Sequence, residues 1–138
     1  MQFQNREVKK VYHALVHGHT DFKDFEVNVP LVIKGSGNVH YDTKKGKASI
    51  TIFKTLRNYK NFSLVECQPH TGRKHQIRVH LKYTRHPIVA DQTYGGEFIF
   101  LSQIKRNYRK SKYSEKPIID RMALHALSVE FKLPSGES

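Results

Sequence analysis

The chain has 138 residues, with 24 Lys and Arg against 12 Asp and Glu and a formal net charge of +12. That length holds one domain or part of one, and so strong a charge favours a polyanionic partner, nucleic acid ahead of a membrane surface. A single cysteine, Cys67, excludes an intramolecular disulfide and fits a reducing compartment; no apolar run has spanning length and MQFQNREVKK has no apolar signal-peptide core, so a cytoplasmic protein without membrane contact is expected.

Glu7–His17 alternates, with Val8, Tyr12, Ala14 and Val16 on one side and Val11 and Leu15 on the other. Both sides are partly apolar, which predicts a central strand, closed by Gly18. Thr20–Lys34 reads as extended chain interrupted by Pro30. Gly35–Lys47 is turn-rich and carries Lys44, Lys45 and Lys47; it reads first as a solvated loop, although its charge also suits a phosphate. Ala48–Leu56 and Phe62–Gln68 alternate on either side of the short polar link Arg57–Asn61, the pattern of a hairpin. Cys67 falls inside the second strand and reads as a buried, inert thiol.

The stretch His70–Gly96 changes character. Thr71-Gly72 is turn chemistry, and from Arg73 the spacing becomes helical. Ile77 and Leu81 stand at i and i+4 on one face, while Lys74, Arg78 and Lys82 form a cationic stripe on another. His86-Pro87 is expected to end the helix, because a residue before proline avoids helical backbone. Ile88-Val89-Ala90 is a short apolar run, followed by a polar turn from Asp91 to Gly96. Phe98–Ile104 is apolar in patches. Lys105–Lys116 interleaves cations with Tyr108 and Tyr113, which suits either a solvated loop or an RNA backbone with a stacked base. Met122–Leu133 alternates again and predicts a final strand. His75 and His80 lie about 140° apart on a helix, so they do not converge on one ion, and no metal site is expected.

The string TGRKHQIRVHL followed by HPIVADQTYGG resembles the third motif of the RluA-type pseudouridine synthases, over more than twenty consecutive positions. REVKKVYHALVHG and the Ala-Leu-His-Ala-Leu that begins at Ala123 resemble two further motifs of that family. One departure is Ala90, where the family usually has glycine before the aspartate, which places the local turn in question. The resemblance implies an α+β fold, a mixed but mostly antiparallel sheet with a short helix packed on it, forming part of a pseudouridine synthase-like domain.

The resemblance also implies a function: conversion of uridine to pseudouridine in ribosomal or transfer RNA, without cofactor or metal. Tyr12 matches the family's active-site tyrosine, which lies against the base. Leu124 matches a leucine of the pocket wall, and Arg78 matches the arginine that pairs with the nucleophilic aspartate. Lys9, Lys10, Arg73, Lys74, His75 and Lys82 are then expected on the RNA side. The family's aspartate sits in a His-Arg-Leu-Asp segment before the Lys-x-Tyr strand, and these 138 residues hold no such segment. Residues 1–138 are therefore expected to be the C-terminal portion of a catalytic domain, with no nucleophile of their own, Arg78 without its partner and forced into solvent, and strand edges open to self-association. The alternatives are a non-catalytic basic RNA-binding module and a ribosome-associated structural protein.

Overall fold

Segments rich in Val, Ile, Thr and Phe at alternating positions form strands, which make up most of the regular structure among the described residues. The computed structural model describes residues 7–100, 117–119 and 121–132. In chain order these form β1 (Glu7–His17), β2 (Phe25–Asn28), β3 (Leu31–Ile33), β4 (Val39–Tyr41), β5 (Ile50–Asn58), β6 (Phe62–Pro69), α1 (Gln76–Tyr83), a 3-10 turn (Gln92–Tyr94), β7 (Ile99–Phe100), β8 (Pro117–Ile119) and β9 (Leu124–Lys132). The main sheet has the order β2-β5-β6-β1-β9, with β3-β4 and β7-β8 as separate two-stranded pairs. Every pairing among the described residues is antiparallel. The α+β architecture expected from the sequence is therefore present, with β1 central as its two-sided apolar pattern requires.

Period-two alternation sorts the strands into an inner and an outer face. Ala14 and Val16 of β1, Phe53 of β5, and Val65 and Cys67 of β6 meet Ile77, Leu81 and Ile88 in the main core. Burying side chains such as Leu81 contributes about 2 kcal/mol each. Burial pushes the Cys67 thiol far above its ordinary value, so it packs as an apolar side chain. The other side of α1 is covered as well: Val79 joins Leu31, Val39 and Tyr94 in a second cluster. The helix thus lies between the sheet and the β3-β4 pair.

Three expectations are corrected. Gly35–Lys47 is not simply a loop, because Val39–Tyr41 pairs with Leu31–Ile33. The helix begins at Gln76 rather than Arg73, since His75 adopts left-handed backbone at φ 54. It also ends before His86-Pro87. Arg85 is left-handed at φ 70, its N–H bonds Lys82 O, and the His86 N–H bonds Leu81 O. This is a Schellman closure with Arg85 in the place that glycine usually takes. Residues 101–116, including the basic Lys105–Lys116 run, lie outside the described residues.

A chain of buried polar groups seats the helix. Gln76 is 4% exposed. Its Oε1 accepts from the Thr71 hydroxyl at 2.6 Å and from the Arg73 N–H at 3.1 Å. Its Nε2 donates to Ile50 O at 2.7 Å and to Thr51 Oγ1 at 2.8 Å. The Thr51 hydroxyl then donates to His80 Nδ1 at 2.8 Å, and His80 Nε2 donates to Val29 O at 2.9 Å. The amide uses two donors and two acceptors, so its orientation follows from its partners. Thr71 itself accepts from the Ile50 N–H of the neighbouring strand, not from a helix N–H.

Two stability predictions follow from this chain. Gln76→Glu removes both donors and faces a carboxylate against Ile50 O, so urea unfolding should show a loss of about 2 kcal/mol or more. His80 is fully buried and neutral, and burial holds it below its ordinary value. The unfolded chain therefore binds protons that the folded chain refuses, and the stability present above pH 6.5 is lost as pH falls below it. The urea midpoint should drop between about pH 7.5 and about pH 5.5, and His80→Gln should flatten that drop.

Candidate active site

The face of β1 that carries Ala14 and Val16 into the core also carries Tyr12 and Lys10, two and four residues before Ala14. Val16 and Ala14 are covered, whereas Tyr12 and Lys10 are half-exposed. The strand therefore leaves the core at Tyr12. Beside it, β9 starts with Leu124 opposite Ala14, and Ala126 stands opposite Tyr12. The register slips between Val11 and Tyr12, where β9 spends one extra residue. Tyr12 and Leu124 both pack on the edge of the main core.

The third wall comes from the turn between β6 and α1 and from the first helical turn. A cleft of about 220 Å³ is lined by Lys10, Tyr12, Arg73, His75, Arg78 and Leu124. These six come from the set singled out in the sequence, and three separate segments deliver them. The floor is apolar at Ile77, while Lys10 and Arg73 put positive charge on the rim. Thr71 and the Arg73 N–H are fixed by Gln76, so the turn that carries Arg73 is held by the same amide that seats the helix.

Arg78 is not without a partner, as had been expected. Its Nε donates to Asp91 Oδ2 at 3.0 Å and its Nη2 to Asp91 Oδ1 at 2.8 Å. The Asp91 side chain is 1% exposed and that of Arg78 is 18% exposed. Such a two-pronged, charge-assisted pair suits a planar guanidinium. The hydrogen bonds that Arg78 donates to Asp91 push its guanidinium above its ordinary value. The guanidinium carbon also lies 4.8 Å from the centre of the Tyr94 ring. A guanidinium has five N–H donors. Among the described residues, only the Nε and Nη2 edge of Arg78 is hydrogen-bonded.

The turn that presents Asp91 is intact despite Ala90. Ala90 takes φ 65, a left-handed conformation that glycine adopts without strain. The Asp91 N–H still bonds Ile88 O at 3.0 Å, and the Gly96 N–H bonds Asp91 O at 2.8 Å. Gly96 does require glycine, since a Cβ there would stand 1.8 Å from Ile88 O. Tyr94 follows in this turn. Its hydroxyl accepts from the Val39 N–H at 2.9 Å and meets His75 Nδ1 at 2.6 Å. Burial, then the charges of Arg78 and Lys74, push His75 below its ordinary value. Neutral His75 accepts from the tyrosine hydroxyl at Nδ1 and carries its proton on Nε2.

The predicted cationic stripe does not survive as one surface. Lys74 precedes the helix and lines a second cleft, and Lys82 is exposed on α1 and lines neither. The side chain of Lys9 lies outside the described residues. The sequence reading missed Asp91 as the partner of Arg78, and it missed Gln76, Thr71 and Tyr94. All four stand within the motif, but the pairing across thirteen residues has no periodic signature. No group of three His, Cys, Asp or Glu suited to a metal ion occurs among the described residues. No helix among them is long and apolar enough to cross a membrane. Because the Asp91 carboxylate is buried against one cation, Arg78→Ala should cost about 3 kcal/mol in urea unfolding, more than an exposed ion pair would.

Comparison with known proteins identifies the family. The family described as RNA pseudouridylate synthase matches residues 1–83. The chain is 37% identical over 136 residues to the ribosomal large subunit pseudouridine synthase C of Vibrio cholerae serotype O1, an alignment covering 99% of this chain and 40% of that protein. It is 32% identical over 136 residues to the dual-specificity RNA pseudouridine synthase RluA of Pasteurella multocida, covering 96% of this chain and 55% of that one. Among solved structures, human RNA pseudouridylate synthase domain containing 1 superposes with a TM-score of 0.67 at 27% identity, over 92% of this chain and 51% of that one. The chain thus spans about 40% of the length of the first curated relatives it matches. It belongs to the RNA pseudouridylate synthase family, within the RluA-type group.

Proposed function

We propose that residues 1–138 form the C-terminal, uridine-binding portion of a catalytic domain that isomerises uridine to pseudouridine in ribosomal or transfer RNA. The observation that carries this reading is the convergence of Tyr12, Arg78 and Leu124 on one cleft with a cationic rim. In that cleft a uracil ring flipped out of its RNA lies between the Tyr12 ring and the Leu124 side chain, while Lys10 and Arg73 meet its phosphates. The reaction breaks the bond from N1 to C1′, turns the freed uracil and joins C5 to C1′; the C5 proton leaves to solvent and N1 takes up a proton from it. Nothing is oxidised or reduced.

Arg78 has a double task in this reading. One edge of the guanidinium holds the buried Asp91, which fixes its plane. The donors of its other nitrogen serve the nucleophilic carboxylate, keeping it ionised and aimed at C1′. Asp91 is unsuited to be that nucleophile, because it is 2% exposed and both its oxygens already bind Arg78. The carboxylate comes from a His-Arg-Leu-Asp segment, which the chain's match to about 40% of its relatives leaves room for. A non-catalytic RNA-binding module is favoured by one observation: the described lining of the cleft contains no carboxylate.

Tritium release from 5-³H-uridine-labelled ribosomal RNA separates the two. The 138-residue chain alone should release none. The same chain joined behind a relative's His-Arg-Leu-Asp segment should release tritium, and Arg78→Ala in that fusion should abolish it. Release by the chain alone would place the nucleophile among these residues. RNA binding by both proteins, with release by neither, would leave the binding-module reading.

A further inference from the structure

Beside the Tyr12 cleft lies a larger one, of about 420 Å³, between the β3-β4 pair and the turn before α1. Its cations are Lys45, Lys47, Arg73 and Lys74, and its apolar surface includes Leu31 and Ile33. Ile33 is 57% exposed, an open apolar side chain among lysines. The lysines stand on an ordered turn. Asp42 Oδ1 accepts from the Lys44 and Lys45 N–H groups at 2.9 and 3.0 Å, and the Gly46 N–H bonds Asp42 O. Those two N–H groups also hold the Asp42 carboxyl below its ordinary value, so it stays ionised as the organiser of the turn. Lys74 reaches across from the other wall, its Nζ 3.7 Å from where a Cβ on Gly37 would stand.

The two clefts share Gly72 and Arg73 as their common ridge. Gly72 is exposed, and nothing lies within 4 Å of a Cβ added there; its backbone is not in the left-handed region. Neither packing nor backbone conformation therefore calls for glycine at this position. A bare ridge between two basic clefts lets a ligand's backbone cross closely, which is the remaining use of glycine. Arg73 stands on that ridge with Nε donating to Ala48 O at 3.0 Å, which ties its side chain to the strand side of the turn.

We propose that the single strand of RNA flanking the flipped uridine crosses the Gly72-Arg73 ridge into this second cleft. There Lys45, Lys47 and Lys74 bind its phosphates, and the exposed Ile33 receives the face of a neighbouring base. The ligand is single-stranded because an apolar floor meets a base only where the base is unstacked. The inference rests on the RNA reading above and adds a second nucleotide site to it.

The test uses the full chain and fluorescein-labelled hexauridylate, titrated at several salt concentrations. Lys45→Gln with Lys47→Gln should weaken binding on the order of tenfold near 0.1 M salt and lower the salt slope by about 1.4, the value for two single-strand phosphates. Lys54→Gln with Lys60→Gln removes the same charge from exposed positions that line neither cleft, and should change the slope far less. Gly72→Ala should weaken binding without lowering the thermal midpoint, since the added Cβ meets nothing in the fold. If Tyr12→Ala weakens binding while the Lys45 and Lys47 pair behaves like its control, the second site is refuted and the uridine cleft stands. If none of the variants alters binding, or if the chain does not bind hexauridylate at all, both readings fall.

Discussion

The amide of Gln76 is the constraint on which the rest of the structure depends. It stands at the first position of a short helix, buried, and each of its four hydrogen-bonding sites has a different partner. On one side are the Thr71 hydroxyl and the Arg73 N–H, which set the turn. On the other are Ile50 and Thr51, which belong to the sheet. A buried amide with fewer partners would destabilise the fold by the desolvation of whatever it left unmet. With all four met, it fixes the turn, the helix and the strand relative to one another, and the relay through Thr51 to His80 extends that fixation to Val29.

The cleft inherits its geometry from that arrangement. Arg73, His75 and Arg78 come from the turn and helix that Gln76 holds, and Lys10 and Tyr12 come from the strand beneath them. Arg78 adds the electrostatic counterpart. A guanidinium that lines an open cleft would move freely on its long stem, but a buried carboxylate gripping one edge confines it to a plane. Tyr94 closes the same group from above and links it, through Val39, to the β3-β4 pair. Those strands position Lys45 and Lys47 as well. The two clefts are therefore parts of one hydrogen-bonded framework and not independent surface features.

Much of this was legible in the residues. The alternation in Glu7–His17 marked a central strand, and the alternation around Arg57–Asn61 marked a hairpin, because a strand buried on one face repeats every two residues. Ile77 and Leu81 marked the helix's buried face. The helix limits were misread by several residues at both ends. His75 and Arg85 adopt left-handed backbone, a conformation that nothing about a histidine or an arginine announces. β4 and its pairing with β3 were overlooked because a three-residue strand is too short to show a period, and the pairing is supported by Val79 and Tyr94 from elsewhere in the chain.

Composition, strand pattern and motif by themselves determined that the chain is basic and that it folds as a mostly antiparallel sheet with a short helix, and they singled out Tyr12, Arg78 and Leu124, which line one cleft. These are properties of local spacing and side-chain chemistry, which a sequence carries directly. Only the tertiary structure decided which cations share a surface and which charge Arg78 answers. Lys74, Arg78 and Lys82 are evenly spaced, yet the left-handed turn at His75 puts Lys74 on another element, and burial of Asp91 draws Arg78 inward while Lys82 stays in solvent. Pairing between residues distant in sequence is set by how elements pack and by the cost of leaving a buried charge unmet, and neither has a signature in the order of residues.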